Sequence, residues 1–205
     1  MLAGSLGGCA GAAAELALPA LPSGNGGVRE SGGEAVERGA TFAGLQLRTR
    51  RDAVFADLAG GPHLAGEVRC AFTRLAPVDG SRRAFPLERC EHAVTGSEAE
   101  GPRLADRRVR HLVTYFVDER LVRVDALVAS DETDERTRAA MRARLDERFG
   151  TRVQADGGLD RWELGDDLVE LGGMPADAVR LSLVDGEALV MLPALAAEDP
   201  MTASD

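Results

Sequence analysis

The sequence predicts an α+β fold of two helix-plus-antiparallel-sheet units, with the helices packed on one face of β-meanders. Three observations predict it. Residues 110–128 (RHLVTYFVDERLVRVDALV) alternate apolar positions on two arms around Asp118-Glu119, the pattern of a β-hairpin. The order along the chain is helix, strands, helix, strands. Each helix stops at a glycine, the usual residue just past a helix end. The units span about 41–128 and 129–195 inside a domain over 40–195, with tails over 1–39 and 196–205.

The hairpin has a definite expected register. With Asp118-Glu119 as the loop, Val117 faces Arg120, Tyr115 faces Val122 and Val113 faces Val124. Val113, Tyr115, Val122, Val124 and Ala126 then share one face. The pairs Leu112–Asp125, Thr114–Arg123 and Phe116–Leu121 share the other. One face can be buried while the other stays partly wet, as antiparallel sheets allow. Asp-Glu is not the Asn-Gly or Asp-Gly that a type I′ turn favours, so a three-residue loop including Arg120 is the alternative.

Composition bounds the rest. The chain has 205 residues and is 44% hydrophobic but only 4% aromatic, so its core must be mostly Val, Leu and Ala. It has no Lys, no Ile and a single Asn, Asn25, the usage of a GC-rich genome. Arginine in place of lysine therefore carries no functional meaning. The net charge of −10 repels phosphate backbones, so no nucleic-acid partner is expected. It also argues against adhesion to anionic lipid by charge alone. No run of 18 apolar residues occurs, so no transmembrane helix is expected.

Residues 1–39 are rich in Ala, Gly, Ser and Pro, keep no apolar period and read as a disordered tail or linker. Residues 41–62 open the folded part. Thr49 and Asp52 resemble a short capping box, Val54, Phe55 and Leu58 share a helical face, and Gly60-Gly61-Pro62 is the stop. This helix is expected to cover a sheet. Residues 67–94 read as a second hairpin around Pro77–Ser81, and 95–108 as a polar loop.

Residues 131–149 are the clearest helix. Acidic residues crowd its start, arginines its end, and Gly150 follows. Glu132–Arg136, Asp134–Arg138 and Arg142–Asp146 are i,i+4 partners, and Met141, Leu145 and Phe149 form the apolar stripe. Two hairpins follow. One joins 161–164 to 168–171 through Gly165–Asp167. The other joins 178–184 to 188–192 through Asp185-Gly186. Trp162 reads as a core or sheet-edge anchor, and 196–205 as a disordered acidic tail.

Three cysteines divide between these parts. Cys70 and Cys90 are symmetric about Gly80, so a hairpin centred there makes them direct cross-strand neighbours, within reach of a disulfide. The same register sets Arg69 opposite Glu91 and Phe72 opposite Glu88. The alternatives are two unpaired core thiols, or a metal site with His92, His63 or His111. The Cys-x₁₉-Cys spacing matches no common zinc pattern, so no metal is expected. A disulfide implies an oxidising compartment. Leu6-Gly7-Gly8-Cys9 resembles a bacterial lipobox, which makes Cys9 the candidate lipidated residue. The first basic residue is Arg29 and the apolar part before Cys9 is short. Either the start of a signal peptide lies upstream, or Cys9 is an incidental thiol.

The order of elements resembles small exported bacterial proteins of the BamE/SmpA and β-lactamase-inhibitor-protein type. The matching residues are Gly44–Leu47, Thr49–Asp52, Val54 and Leu58–Gly60. The second half adds Phe116–Asp118, Leu121–Val124, Arg148–Gly150 and Trp162. The chain departs from that pattern at Arg48, where the family usually has Gly. The resemblance implies helices on one face of an antiparallel sheet, a binding or scaffolding role at the cell envelope, and no cofactor.

The expected function is therefore a non-catalytic exported envelope protein, lipid-anchored through Cys9 or periplasmic, that binds another envelope protein or fills a structural role. The alternatives are a cytoplasmic adaptor or inhibitor with reduced thiols, and a small hydrolase. For the last, His63, His92 and His111 are the candidate bases. No Gly-x-Ser-x-Gly elbow or phosphate loop accompanies them, so no catalytic residue is assigned.

Overall fold

Leu121–Val128 is buried at every position. A strand of that kind must have cover on both faces, and it belongs in the middle of a sheet. The computed structural model puts it there. It describes residues 41–42, 45–59, 67–75, 84–94, 103–104, 107–129, 134–154, 159–174 and 178–192. The elements are β1 (Thr41–Phe42), β2 (Leu45–Gln46), α1 (Arg51–Ala59), β3 (Val68–Leu75), β4 (Phe85–Ala93), β5 (Arg103–Leu104), β6 (Arg107–Val117) and β7 (Arg120–Ala129). After them come α2 (Asp134–Phe149), β8 (Val153–Gln154), β9 (Asp160–Leu164), β10 (Asp167–Met174), β11 (Ala178–Asp185) and α3 (Gly186–Met191).

The strands form one continuous antiparallel sheet in the order β3-β4-β6-β7-β11-β10-β9-β8, with β5 paired to β6 and a separate β1–β2 pair. This corrects the expected two helix-plus-sheet units. The expected boundary after residue 128 is crossed by a ladder, because β11 pairs with β7 from Ala178–Ala129 to Val184–Arg123. Arg48 ties the halves a second time. Its guanidinium reaches Asp167 at 3.0 Å and Asp185 at 3.1 Å, bridging two carboxylates that oppose each other across β10 and β11.

Both faces of the sheet are covered at its inner strands, so the central hairpin has no wet face along Leu121–Val128. Val54 and Leu58 of α1 and Met141 and Leu145 of α2 pack with Leu112, Phe116, Leu121, Val124, Trp162, Leu171 and Leu181 on one face. Leu75, Leu87, Val113, Tyr115, Val122, Val184 and Leu192 cluster on the other, joined by Ala188 and Leu189 of α3.

The β6–β7 register follows expectation at Val117–Arg120 and Phe116–Leu121 and then shifts, because Val122 is an extra residue on β7. Beyond it Tyr115 pairs with Arg123 and Thr114 with Val124. A one-residue shift sends each later side chain to the opposite face. Val124 and Ala126 therefore join the helix side, while Arg123 and Asp125 turn to the other. The loop is the two-residue Asp118-Glu119, with both residues at positive φ (47° and 63°).

α1 begins at Arg51, two residues past the expected cap. The Arg50 carbonyl accepts the Val54 N–H, and the Thr49 carbonyl accepts from Leu121 N. At the end of α2, Gly150 (φ +83°) donates its N–H to the Asp146 carbonyl, as a C′ glycine should. The Arg142–Asp146 pair does not form. Arg142 instead reaches Asp160 and Glu135, and Asp146 accepts from Arg152 and from Trp162 Nε1. The buried carboxylate of Asp160 competes better for Arg142 than an exposed helical partner does.

Asp185-Gly186 starts a helix, not a hairpin. Asp185 Oδ1 accepts from the N–H groups of Glu187 and Ala188, an N-cap geometry. Gly186 donates to the Asp166 carbonyl at 2.9 Å, an approach that a Cβ would block at 2.2 Å.

Candidate binding cleft beside the Cys70–Cys90 bond

β3 and β4 pair in the expected register. Cys70 faces Cys90, Arg69 faces Glu91 and Phe72 faces Glu88. The cysteines are joined as a disulfide with a Cα–Cα separation of 4.1 Å. In the chain-entropy picture, closing a loop of this length stabilises the fold by about 3 kcal/mol. Cys90 is buried in the helix-side core and Cys70 is exposed.

The pairing also fixes what the sheet edge offers. Ala93 N donates to the Glu67 carbonyl, so Glu67 is a hydrogen-bonded position of the β3–β4 pair. Alternation then makes Val68, Cys70, Phe72 and Arg74 the non-hydrogen-bonded positions, whose backbone N–H and C=O groups point away from β4, to an edge with no strand beside it among the described residues. Arg69 through Arg74 are all exposed, and Phe72 retains 73% of its surface.

A cleft of about 630 Å³ adjoins this edge, lined by Arg51, Phe72, Pro86, Glu88, Phe116, Asp118 and Glu119. The β6–β7 turn and the start of α1 build it together. Arg48 has φ 65° and donates its N–H to the Leu121 carbonyl at 2.7 Å. Arg51 N donates to the Glu119 carbonyl at 2.9 Å. Residues 48–51 thus run along the start of β7 and aim Arg51 at β4.

There Arg51 donates to both Glu88 oxygens, at 2.6 and 2.7 Å. Such a bidentate pair holds a planar carboxylate in one orientation. The Arg51 guanidinium also lies 4.4 Å from the Phe55 ring centre. Phe55 packs near Phe116 and His92. The cleft therefore has an apolar floor, a fixed charge pair and an exposed aromatic rim.

The histidines are dispersed. His92 is fully buried. Its Nε2 lies 2.8 Å from Thr114 Oγ1, its Nδ1 has no partner, and burial pushes its pKa down to about 4. Without solvent access or an orienting carboxylate, this hydroxyl–imidazole pair lacks the parts of a nucleophile and base. His111 is exposed on the opposite face, and His63 lies outside the described residues, as does Cys9. Cys70, Cys90 and Glu88 group within 4.8 Å, but the two sulfurs are bonded to each other. Among the described residues no helix is long and apolar enough to cross a membrane.

Sequence reasoning missed a polar belt on the face away from α1 and α2. Arg123 donates to both Asp125 oxygens at 2.8 Å with neither residue exposed, and Tyr115 donates to Asp125 at 3.1 Å. Burial, and next the Asp125 charge, push the Tyr115 phenol above its usual range. The available signal was Arg-x-Asp inside an apolar strand. It was hidden because the unseen bulge at Val122 assigned the two residues to the wrong face. Compared with protein-family models, curated proteins and solved structures, the chain matches none.

Proposed function

We propose that the protein is a non-catalytic, exported binding module of the bacterial cell envelope that engages another envelope protein at the β3 edge and the adjoining cleft. One observation carries this reading. A disulfide pins an edge strand whose side chains are exposed except at Val68 and Leu75. Burial contributes little to holding such a strand, so the covalent bond reinforces its ladder with β4, and such bonds persist in oxidising compartments. The result is a rigid edge with unpaired backbone groups and an exposed Phe72, the elements of recognition by strand addition.

The lipobox-like Cys9 supplies the membrane anchor in this reading, and the resemblance to BamE/SmpA-type proteins points to the same compartment. The test is fractionation of the native host carrying a photo-crosslinking residue in place of Phe72. The expected result is recovery with the envelope and a crosslinked adduct containing an envelope protein. Recovery in the cytosol, or adducts only with cytosolic proteins, would favour the adaptor reading instead.

A further inference from the structure

The face away from α1 and α2 carries arginines on its inner strands, and strand alternation places Arg89, Arg123, Arg161 and Arg180 there. Three are matched to carboxylates. Arg89 pairs with Glu91 at 2.6 Å, Arg123 with Asp125 at 2.8 Å, and Arg161 with Glu170 at 2.6 Å. Among the described residues Arg180 is matched to none. It is only 9% exposed, and its Nε has no hydrogen-bond partner. Two residues along the same face of β11, Ser182 is fully buried and its Oγ is also unpartnered.

A buried cation without a counter-ion is strongly unfavourable, and buried hydroxyls are normally satisfied. The register shows why no internal partner serves. Arg180 is flanked across the sheet by Leu127 and Gly172, neither of which bears charge. The Leu159 side chain fills the space over Gly172 beside the guanidinium: a Cβ there would lie 2.5 Å from Leu159 Cδ2 and 3.9 Å from Arg180 Nη2. Asp125 and Glu170 flank Ser182, but Asp125 is held by Arg123 and Tyr115, and Glu170 Oε1 by two bonds from Arg161. Farther along this row lies His111, exposed on β6.

We propose that Arg180 and Ser182 form a binding site for the carboxylate of a small aliphatic acid. The guanidinium donates side-on from Nε and an Nη to the two carboxylate oxygens, and the Ser182 hydroxyl adds a third donor. The charge selects a monoanion. One positive charge is unmatched, and a doubly charged phosphate would face Asp125 and Glu170. The apolar tail follows from the strand itself, which runs Arg180, Ser182, Val184. Val184 belongs to the cluster with Val113, Tyr115, Val122 and Leu192. This site is separate from the β3 edge and stands or falls independently of it.

The test is calorimetric titration of the full, oxidised chain with octanoate, acetate and inorganic phosphate, alongside thermal melts. Octanoate should bind saturably and raise the melting temperature, with acetate weaker and phosphate inert. Arg180→Gln should weaken octanoate by about tenfold or more, and Ser182→Ala by several-fold. Arg180→Met gives a readout without ligand. Removing an uncompensated buried charge should raise the melting temperature of the ligand-free protein by about 2–4 °C and abolish the octanoate-dependent rise. The proposal is overturned if no carboxylate binds, if phosphate binds in preference, if Arg180→Gln binds octanoate as the parent does, or if Arg180→Met lowers the melting temperature.

Discussion

His92 shows how a single side chain makes stability depend on pH. Its pKa is pushed down by burial to about 4, against 6.5 for an exposed ring. Above about pH 6.5 the ring is neutral in both folded and unfolded chains and adds no pH dependence. As pH falls from 6.5 toward 4, the unfolded chain takes up the proton first. Stability is then lost, by up to about 3 kcal/mol once pH 4 is reached. His92→Gln keeps a polar group facing Thr114 and removes the proton site. Urea unfolding across this range should show a shallower decline for the variant, and equal slopes would contradict a buried neutral ring. Arg180 illustrates the same scale from the other side: sequence reasoning had no reason to pick one arginine from a chain whose basic residues are all arginine. Its distinction is the absence of a partner, which only the sheet register reveals.

At the scale of the element, the β6–β7 hairpin holds two non-glycine residues at positive φ. Each costs about 1 kcal/mol relative to glycine in that conformation, and less for Asp118 than for Glu119. The backbone justifies the geometry, because the Glu119 carbonyl anchors Arg51 N at the start of α1. Glu119→Gly keeps that carbonyl and loses an exposed ion pair with Arg50 and a weaker attraction to Arg51. It should raise stability by about 0.5–1 kcal/mol after the added freedom of the unfolded chain is deducted. A lower denaturation midpoint would show that the Glu119 side chain contributes more than its exposed position suggests. The turn was legible from the break in apolar alternation. The bulge was not, because Val122 and Val124 are the same residue type and leave the alternation looking intact. Asp185-Gly186 failed for a different reason. The same dipeptide signals a type I′ turn and an N-cap, and the Asp166 carbonyl over Gly186 decides for the helix.

For the molecule as a whole, local pairings were legible and the distant one was not. Cys70 and Cys90 lie symmetrically about a turn, so composition and spacing together set the β3–β4 register. Nothing in the letters joins β7 to β11, yet that ladder replaces the expected two units with one sheet. The buried run over Leu121–Val128 called for a second neighbour, and supplying one meant looking past α2. The cleft was illegible because it is assembled from α1, β3, β4 and the β6–β7 turn, with Arg51 and Glu88 37 positions apart.

The central claim is that an oxidised Cys70–Cys90 bond holds the β3 edge in the working protein. The most direct measurement is the intact mass of the protein isolated from its native host under thiol-trapping conditions, before and after reduction. The account predicts that Cys70 and Cys90 take up label only after reduction. Labelling of both without reduction would contradict it, removing the argument for an oxidising compartment and leaving β3 without the bond that holds it.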